Sequence, residues 1–208
     1  MSQPISAIIF DLGGVILNLD YNLTIKAFQN LGNENFDTLY TQSHQDKIFD
    51  LFETGQISAP EFRNYFRKFL GEHISDQQID GAWNAMLLDL PPRRIDFIQQ
   101  LRKKVPVYLF SNTNEIHHAA FRQTIKTQFG DENLLDNLFD QAYYSHQVGK
   151  RKPNADAFLK VIDDHKLTIH STLFIDDSIQ HIEGARQLGL QTIHLVSDDI
   201  CNLNELKF

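Results

Sequence analysis

Four short apolar runs, each ending abruptly on polar residues, most constrain what this chain can fold into. They are "AIIF" (7–10), "VPVYLF" (105–110), "TLFI" (172–175) and "TIHLV" (192–196), with "QAYYS" (141–145) a weaker fifth. Runs this short and this rich in Val, Ile and Phe suit strands buried on both faces, as in a parallel sheet. Helical patterns separate them: residues 154–165 put Phe158, Val161 and Ile162 on one face. Residues 179–188 do the same with Ile179, Ile182, Ala185 and Leu188, and Gly189 is placed to stop that helix. Strand-helix-strand alternation with right-handed crossovers predicts an α/β fold, a Rossmann-like doubly wound parallel sheet.

Residues 21 to about 89 break the rhythm, because no strand pattern occurs there. "ISAPEF" reads as a capping box, Ser58 with Glu61, opening a helix that buries Phe62, Phe66, Phe69 and Leu70. "ISDQQI" repeats the device with Ser75 and Gln78 and leads to Trp83 and Leu87, and "LPPRR" (90–94) returns the chain to the α/β pattern. About 70 residues are too many for one ordinary connection. The expected organisation is a core formed by 1–17 and 90–208 with a small helical cap, 18–89, inserted after the first strand.

Composition narrows the partners. A net charge of -8 argues against a nucleic-acid ligand, whose affinity rests on clustered Lys and Arg. No apolar run approaches membrane-span length, and the first ten residues have no basic region leading into a long apolar one. The single cysteine, Cys201, has no partner for an internal disulfide, so a reducing, cytoplasmic setting is expected. The nine His fall at no zinc-binding spacing. Oligomeric state has no signature here.

The strand ends hold the chemistry. Asp11 follows the first run, Ser111-Asn112 the second and Asp176-Asp177 the third, and Lys152 precedes a proline that opens a helix. Ligands bind beyond the carboxyl ends of strands in such sheets, so these residues are expected on one rim. Taken singly, Asp11 or Asp177 reads equally as a helix N-cap, and "KRK" as a solvated basic patch. Taken together, three carboxylates at one place need cations. Lys152 supplies one charge, and carboxylates with a backbone carbonyl suit Mg²⁺. Ser111, the amides after it and the Lys152 ammonium are then donors for an anion such as phosphate.

"IIFDLGGVI", "LFSNTN", "GKRKPNADAF" and "FIDDSIQHIEGARQLG" resemble, in order, the four motifs of the haloacid dehalogenase-like hydrolases, and most closely those of glucose-1-phosphate phosphatase-type sugar phosphatases. The resemblance covers about 1–17 and 90–196 and implies a phosphatase acting on a small phosphorylated metabolite, a sugar phosphate. It implies Asp11 as the nucleophile that becomes an aspartyl-phosphate, Ser111 and Asn112 as phosphoryl-binding residues, and Lys152 orienting Asp11. It further implies that Asp177 holds Mg²⁺ directly and Asp176 mainly through water, with Asp11 and the Gly13 carbonyl completing the set. Phosphatases of the family usually carry a second Asp, the acid toward the leaving group, where this chain has Gly13. His117 is the nearest substitute in sequence, and without one the enzyme should favour activated esters such as sugar 1-phosphates. The missing Asp also keeps open a haloacid dehalogenase or a degenerate binding protein. A receiver domain would need the Asp pair near its first strand.

Overall fold

The computed structural model describes residues 3–32, 47–196, 199–203 and 206–208. The sheet grows outward from the run that the sequence makes most apolar. Strand β1 (Ala7–Phe10) is buried throughout and pairs in parallel with β2 (Val107–Ser111) on one side and β4 (Thr172–Asp176) on the other. Strands β3 (Gln141–Tyr144) and β5 (Gln191–His194) extend it to the order β3-β2-β1-β4-β5. The chain winds one way from β1 through β2 to β3, then crosses back to β4. That reversal opens a crevice at the carboxyl ends of β1, β2 and β4.

Strand ends differ from expectation by a few residues. Val105 and Pro106 precede β2, where the Pro106 carbonyl accepts from Ile8 N at 3.0 Å, and β2 continues to Ser111. Val196 lies beyond β5 and is 61% exposed.

Side-chain alternation divides β1 between two cores. Ile8 and Phe10 enter one with Leu109, Ile175 and residues of α5 (Pro92–Arg102) and α6 (Glu115–Phe129). Ala7 and Ile9 enter the other with Phe174, Phe158 of α9 (Ala155–His165) and Ile182 of α10 (Ile179–Gln187). Two short helices flank β3, α7 (Leu134–Leu138) and α8 (Ser145–Val148). Helix α9 starts two residues after Pro153, with Asn154 at its N-cap, rather than at the proline itself. Gly189 follows α10 with φ 91°, a conformation that ends a helix at little cost only for glycine.

Between β1 and α5 lies a separate helical unit: α1 (Tyr21–Asn30), α2 (Lys47–Glu53), α3 (Ala59–Leu70) and α4 (Asp76–Asn84). It has its own aromatic core, in which Phe52 stacks on Phe62 at 4.0 Å and Phe28 on Phe66 at 4.7 Å. Stacked and edge-on aromatic pairs contribute about 0.5–1.5 kcal/mol each beyond their burial. Phe69 is a correction: it is 48% exposed and lies against Tyr65, off the buried stripe of Phe62, Phe66 and Leu70. At α3, Glu61 accepts from both Ser58 N and Ser58 Oγ; at α4 the box closes reciprocally between Ser75 and Gln78. Residues 18–20 and 86–89 run side by side as paired linkers, with Leu88 N donating to Asn18 O at 3.0 Å and Asp20 N to Met86 O at 3.0 Å. Of the expected 18–89 interval, residues 33–46 lie outside the described residues.

Candidate active site

The site is assembled at the carboxyl ends of three neighbouring strands. Asp11 is the residue after β1, and its N–H donates to Ile175 O at 2.9 Å, which ties it to β4. Asp176 is the last residue of β4 and is fully buried. Between them stands Lys152, also fully buried, with Nζ 2.7 Å from Asp11 Oδ1 and 2.7 Å from Asp176 Oδ2. Oxygens of Asp11, Asp176 and Asp177 lie within 4.8 Å of one another.

One ammonium does not neutralise three carboxylates, and the titration of the groups records this. Burial pushes the Asp11 carboxyl up, against the pull of Lys152. Burial acts the same way on Asp176, but Lys152 and His181 overcome it and bring its pKa down to about 2. Burial, Asp11 and Asp176 together push Asp177 up to about 7. Burial opposes the charge of Lys152, and the two aspartates outweigh it and raise its pKa. An all-oxygen donor set short of positive charge fits a hard divalent cation such as Mg²⁺. Gly14 leaves the space for it: at φ 71°, a Cβ there would lie 2.1 Å from Asp177 Oδ2.

Asp176 and Asp177 occupy different surroundings, as alternation along a strand requires. Asp176 accepts from Lys152, from Ser178 N at 2.7 Å and from His181 Nδ1 at 3.0 Å. Asp177 faces the cavity beside Gly14.

Ser111, 3% exposed, brings its hydroxyl to the same rim, with only a long 3.5 Å contact to Asn112 O. Asn112 is a correction. Its Oδ1 accepts from Lys152 N at 3.0 Å and its Nδ2 donates to Lys152 O at 2.9 Å, so the side chain clamps the Lys152 peptide and is not free for a phosphoryl group. Ser145 fixes the adjoining loop similarly, accepting from Thr113 N and donating to Thr113 O, both at 2.8 Å.

His117 is the second correction. It lines the cavity, but its ring is buried and stacked on Trp83 with centroids 4.8 Å apart. Nε2–H donates to Trp83 O at 2.9 Å, and Nδ1 lies 3.2 Å from Asn114 Nδ2. Burial brings its pKa down to about 4, so at neutral pH its one ring proton is committed to a carbonyl. It joins the helical unit to α6 and has no proton to give a leaving group. At Gly13, a Cβ would lie 2.6 Å from Leu19 Cδ1, so a leucine of the linker fills the space of a side chain there.

A cavity of about 580 Å³ opens above the carboxylates, roofed by the helical unit. Sequence reading passed over several of its residues. Tyr21, the first residue of α1, has its hydroxyl pKa raised by burial and then by Asp177 and Asp11. His181 lies in the first turn of α10, and Arg151 lies beside Lys152. Their only sequence signal was closeness to the motifs.

The family model of the haloacid dehalogenase-like hydrolases matches residues 5–189. A D-ribitol-5-phosphate phosphatase of Bacteroides thetaiotaomicron is 34% identical over 189 residues, 90% of each chain. A HAD-family enzyme of the same organism, crystallised as a point variant with magnesium and inorganic phosphate, superposes with a TM-score of 0.87 at 33% identity, covering 96% of this chain and 98% of that one. The L-2-haloacid dehalogenase of Xanthobacter autotrophicus shares the fold at a TM-score of 0.59 and 18% identity, over 90% of this chain and 76% of that one.

Proposed function

The chain belongs to the haloacid dehalogenase-like hydrolases, and from that membership and the geometry of the site we propose that it is a Mg²⁺-dependent phosphatase of a small sugar or polyol phosphate. The observation that carries the reading is Lys152 held between Asp11 and Asp176 with Asp177 alongside. A dehalogenase has no use for this surplus of carboxylate, because its substrate brings no phosphate for a cation to neutralise.

Asp11 is the nucleophile. Lys152 binds Oδ1 and so directs Oδ2 toward the substrate phosphorus, where it displaces the alcohol and forms an aspartyl-phosphate that water then hydrolyses. Bound at Asp11, Asp177 and the Gly13 carbonyl, with Asp176 acting mainly through water, Mg²⁺ supplies positive charge to the phosphoryl oxygens. Ser111 Oγ–H donates to one of those oxygens. Asn112 acts through Lys152, by fixing its backbone. Residues 18–89 are the cap, which excludes water and shapes the pocket.

The ribitol-5-phosphate relative acts on an ester of a primary alcohol, as its name states, and this favours such esters over sugar 1-phosphates here. A cytoplasmic setting suits the free thiol of Cys201. Among the described residues no helix is long and apolar enough to cross a membrane.

Phosphate release from a panel of polyol and sugar phosphates, with Mg²⁺ and with EDTA, tests the reading. Metal-dependent release from at least one of them is expected. Release only from haloacids as halide, or none at all, overturns it.

A further inference from the structure

The cavity has two unlike walls. On one, cap and linker residues such as Phe49, Trp83, Met86 and Leu87 are apolar. The other carries charge: Asp50 and Glu53 from α2 and Arg151 from the loop before Lys152. Asp50 and Glu53 are three residues apart on one helix and therefore point the same way. Both reach Arg151, Asp50 through NH1 and Glu53 through NH2 at 2.9 Å.

This wall is rigid. The peptide of Lys152, next in sequence to Arg151, is clamped by Asn112. Just beyond Glu53, the backbone of Gly55 is so close to the core that a Cβ would lie 2.3 Å from His146 O. Glu53 is therefore aimed at the cavity from a helix end seated on the core.

The wall is also short of donors. Two carboxylates share one guanidinium, and Glu53 Oε2, though near Arg151, is buried without an aligned hydrogen-bond donor. Burial pushes the Glu53 carboxyl up despite Arg151. A buried acceptor in that position is satisfied by a ligand that donates. An alkyl chain would cover it and leave it unpaired.

We propose that Glu53, held by Arg151, is the specificity-determining residue of this enzyme: its carboxyl accepts hydrogen bonds from hydroxyls on the carbon chain of the substrate and selects polyhydroxylated phosphate monoesters over apolar ones of equal length. The inference rests on the phosphatase reading above and names what that site recognises. Sites built to bond a substrate hydroxyl reject analogues lacking it far more strongly than apolar pockets reject an added one.

The test compares D-ribitol 5-phosphate with n-pentyl phosphate, which has the same chain length and a primary leaving oxygen but no hydroxyls, using the full chain with Mg²⁺. Wild type should prefer the polyol in kcat/KM by ~10² or more. Glu53→Leu should lower that ratio roughly 10–100-fold, mainly through the KM of the polyol. Glu53→Gln, which keeps an acceptor, should recover most of it; a helix breakdown would not be rescued in this way. If Glu53→Leu does not fold, Glu53→Ala gives the same readout. An unchanged ratio in the leucine or alanine variant overturns the role of Glu53. A wild type that hydrolyses 4-nitrophenyl phosphate but not the polyol overturns the proposal by a different route, through the substrate class itself.

Discussion

Replacing Lys152 with methionine removes the one cation that the fold itself supplies to its carboxylates and nearly preserves side-chain volume. At 2.7 Å from each of two oxygens, an effective dielectric near 20 gives about 6 kcal/mol of attraction per pair. Desolvation of three buried charges cancels most of that. Breaking such a network from one side nevertheless costs about 3–5 kcal/mol, because the carboxylates stay buried without a partner. At ~2–4 °C per kcal/mol for a chain of this size, the midpoint should fall by roughly 6–20 °C. The loss depends on pH. Without Lys152, the folded-state pKa values of Asp11 and Asp176 rise above their unfolded value near 3.8. The destabilisation is then absent well below pH 4, grows as pH rises through the shifted values, and is complete at neutral pH. Mg²⁺ should restore part of it by supplying charge to the same oxygens. The assay is thermal melting of wild type and variant in EDTA from pH 4 to 8, repeated with Mg²⁺. Equal midpoints at pH 7.5 in EDTA would refute the reasoning.

Asp11→Asn should leave the melting curve near wild type and abolish turnover; near-normal rates would exclude a covalent mechanism. Asp177→Ala should remove the Mg²⁺ response, whereas Asp176→Ala should weaken metal affinity about 10–100-fold by disturbing groups that orient the site; titration of activity against Mg²⁺ separates the two. Because Asp177 is pushed up to about 7 without a cation, Mg²⁺ must displace a proton below that pH, and calorimetry should show affinity falling as pH drops from 8 to 6. His117→Gln should keep the wild-type pH-rate profile, since the ring proton is held by Trp83 O; a lost alkaline limb would return the acid role to His117.

Much of this was legible in the sequence because the chemistry sits where strands stop. Asp11, Ser111 and Asp176 are strand-end residues, and a parallel sheet places such ends together without long-range information. The capping boxes at Ser58 and Ser75 were likewise local patterns. What was hidden depended on contacts between distant segments. Asn112 beside Ser111 looked like a phosphate ligand, and only the fold shows its amide closing on a peptide 40 residues away. His117 looked exposed at a helix start because nothing local announced that Trp83 would cover it. Phe69 extended an apolar run, but helical geometry turns it away from the face of Phe62 and Phe66. Glu53 and Arg151 meet across the cap and core, which no periodicity encodes.

The central claim is that Asp11 attacks phosphorus and that water then breaks the resulting P–O bond. A single turnover of enzyme in excess over D-ribitol 5-phosphate, run in H₂¹⁸O with Mg²⁺, reads this directly by mass spectrometry of the released phosphate and of the peptide containing Asp11. The account predicts a transient phosphoryl adduct on that peptide after rapid quench, ¹⁸O in the phosphate, and an unlabelled Asp11 carboxylate once turnover is complete. Release of ¹⁸O-phosphate with no adduct at any quench time, or ¹⁸O in Asp11 itself, would contradict it.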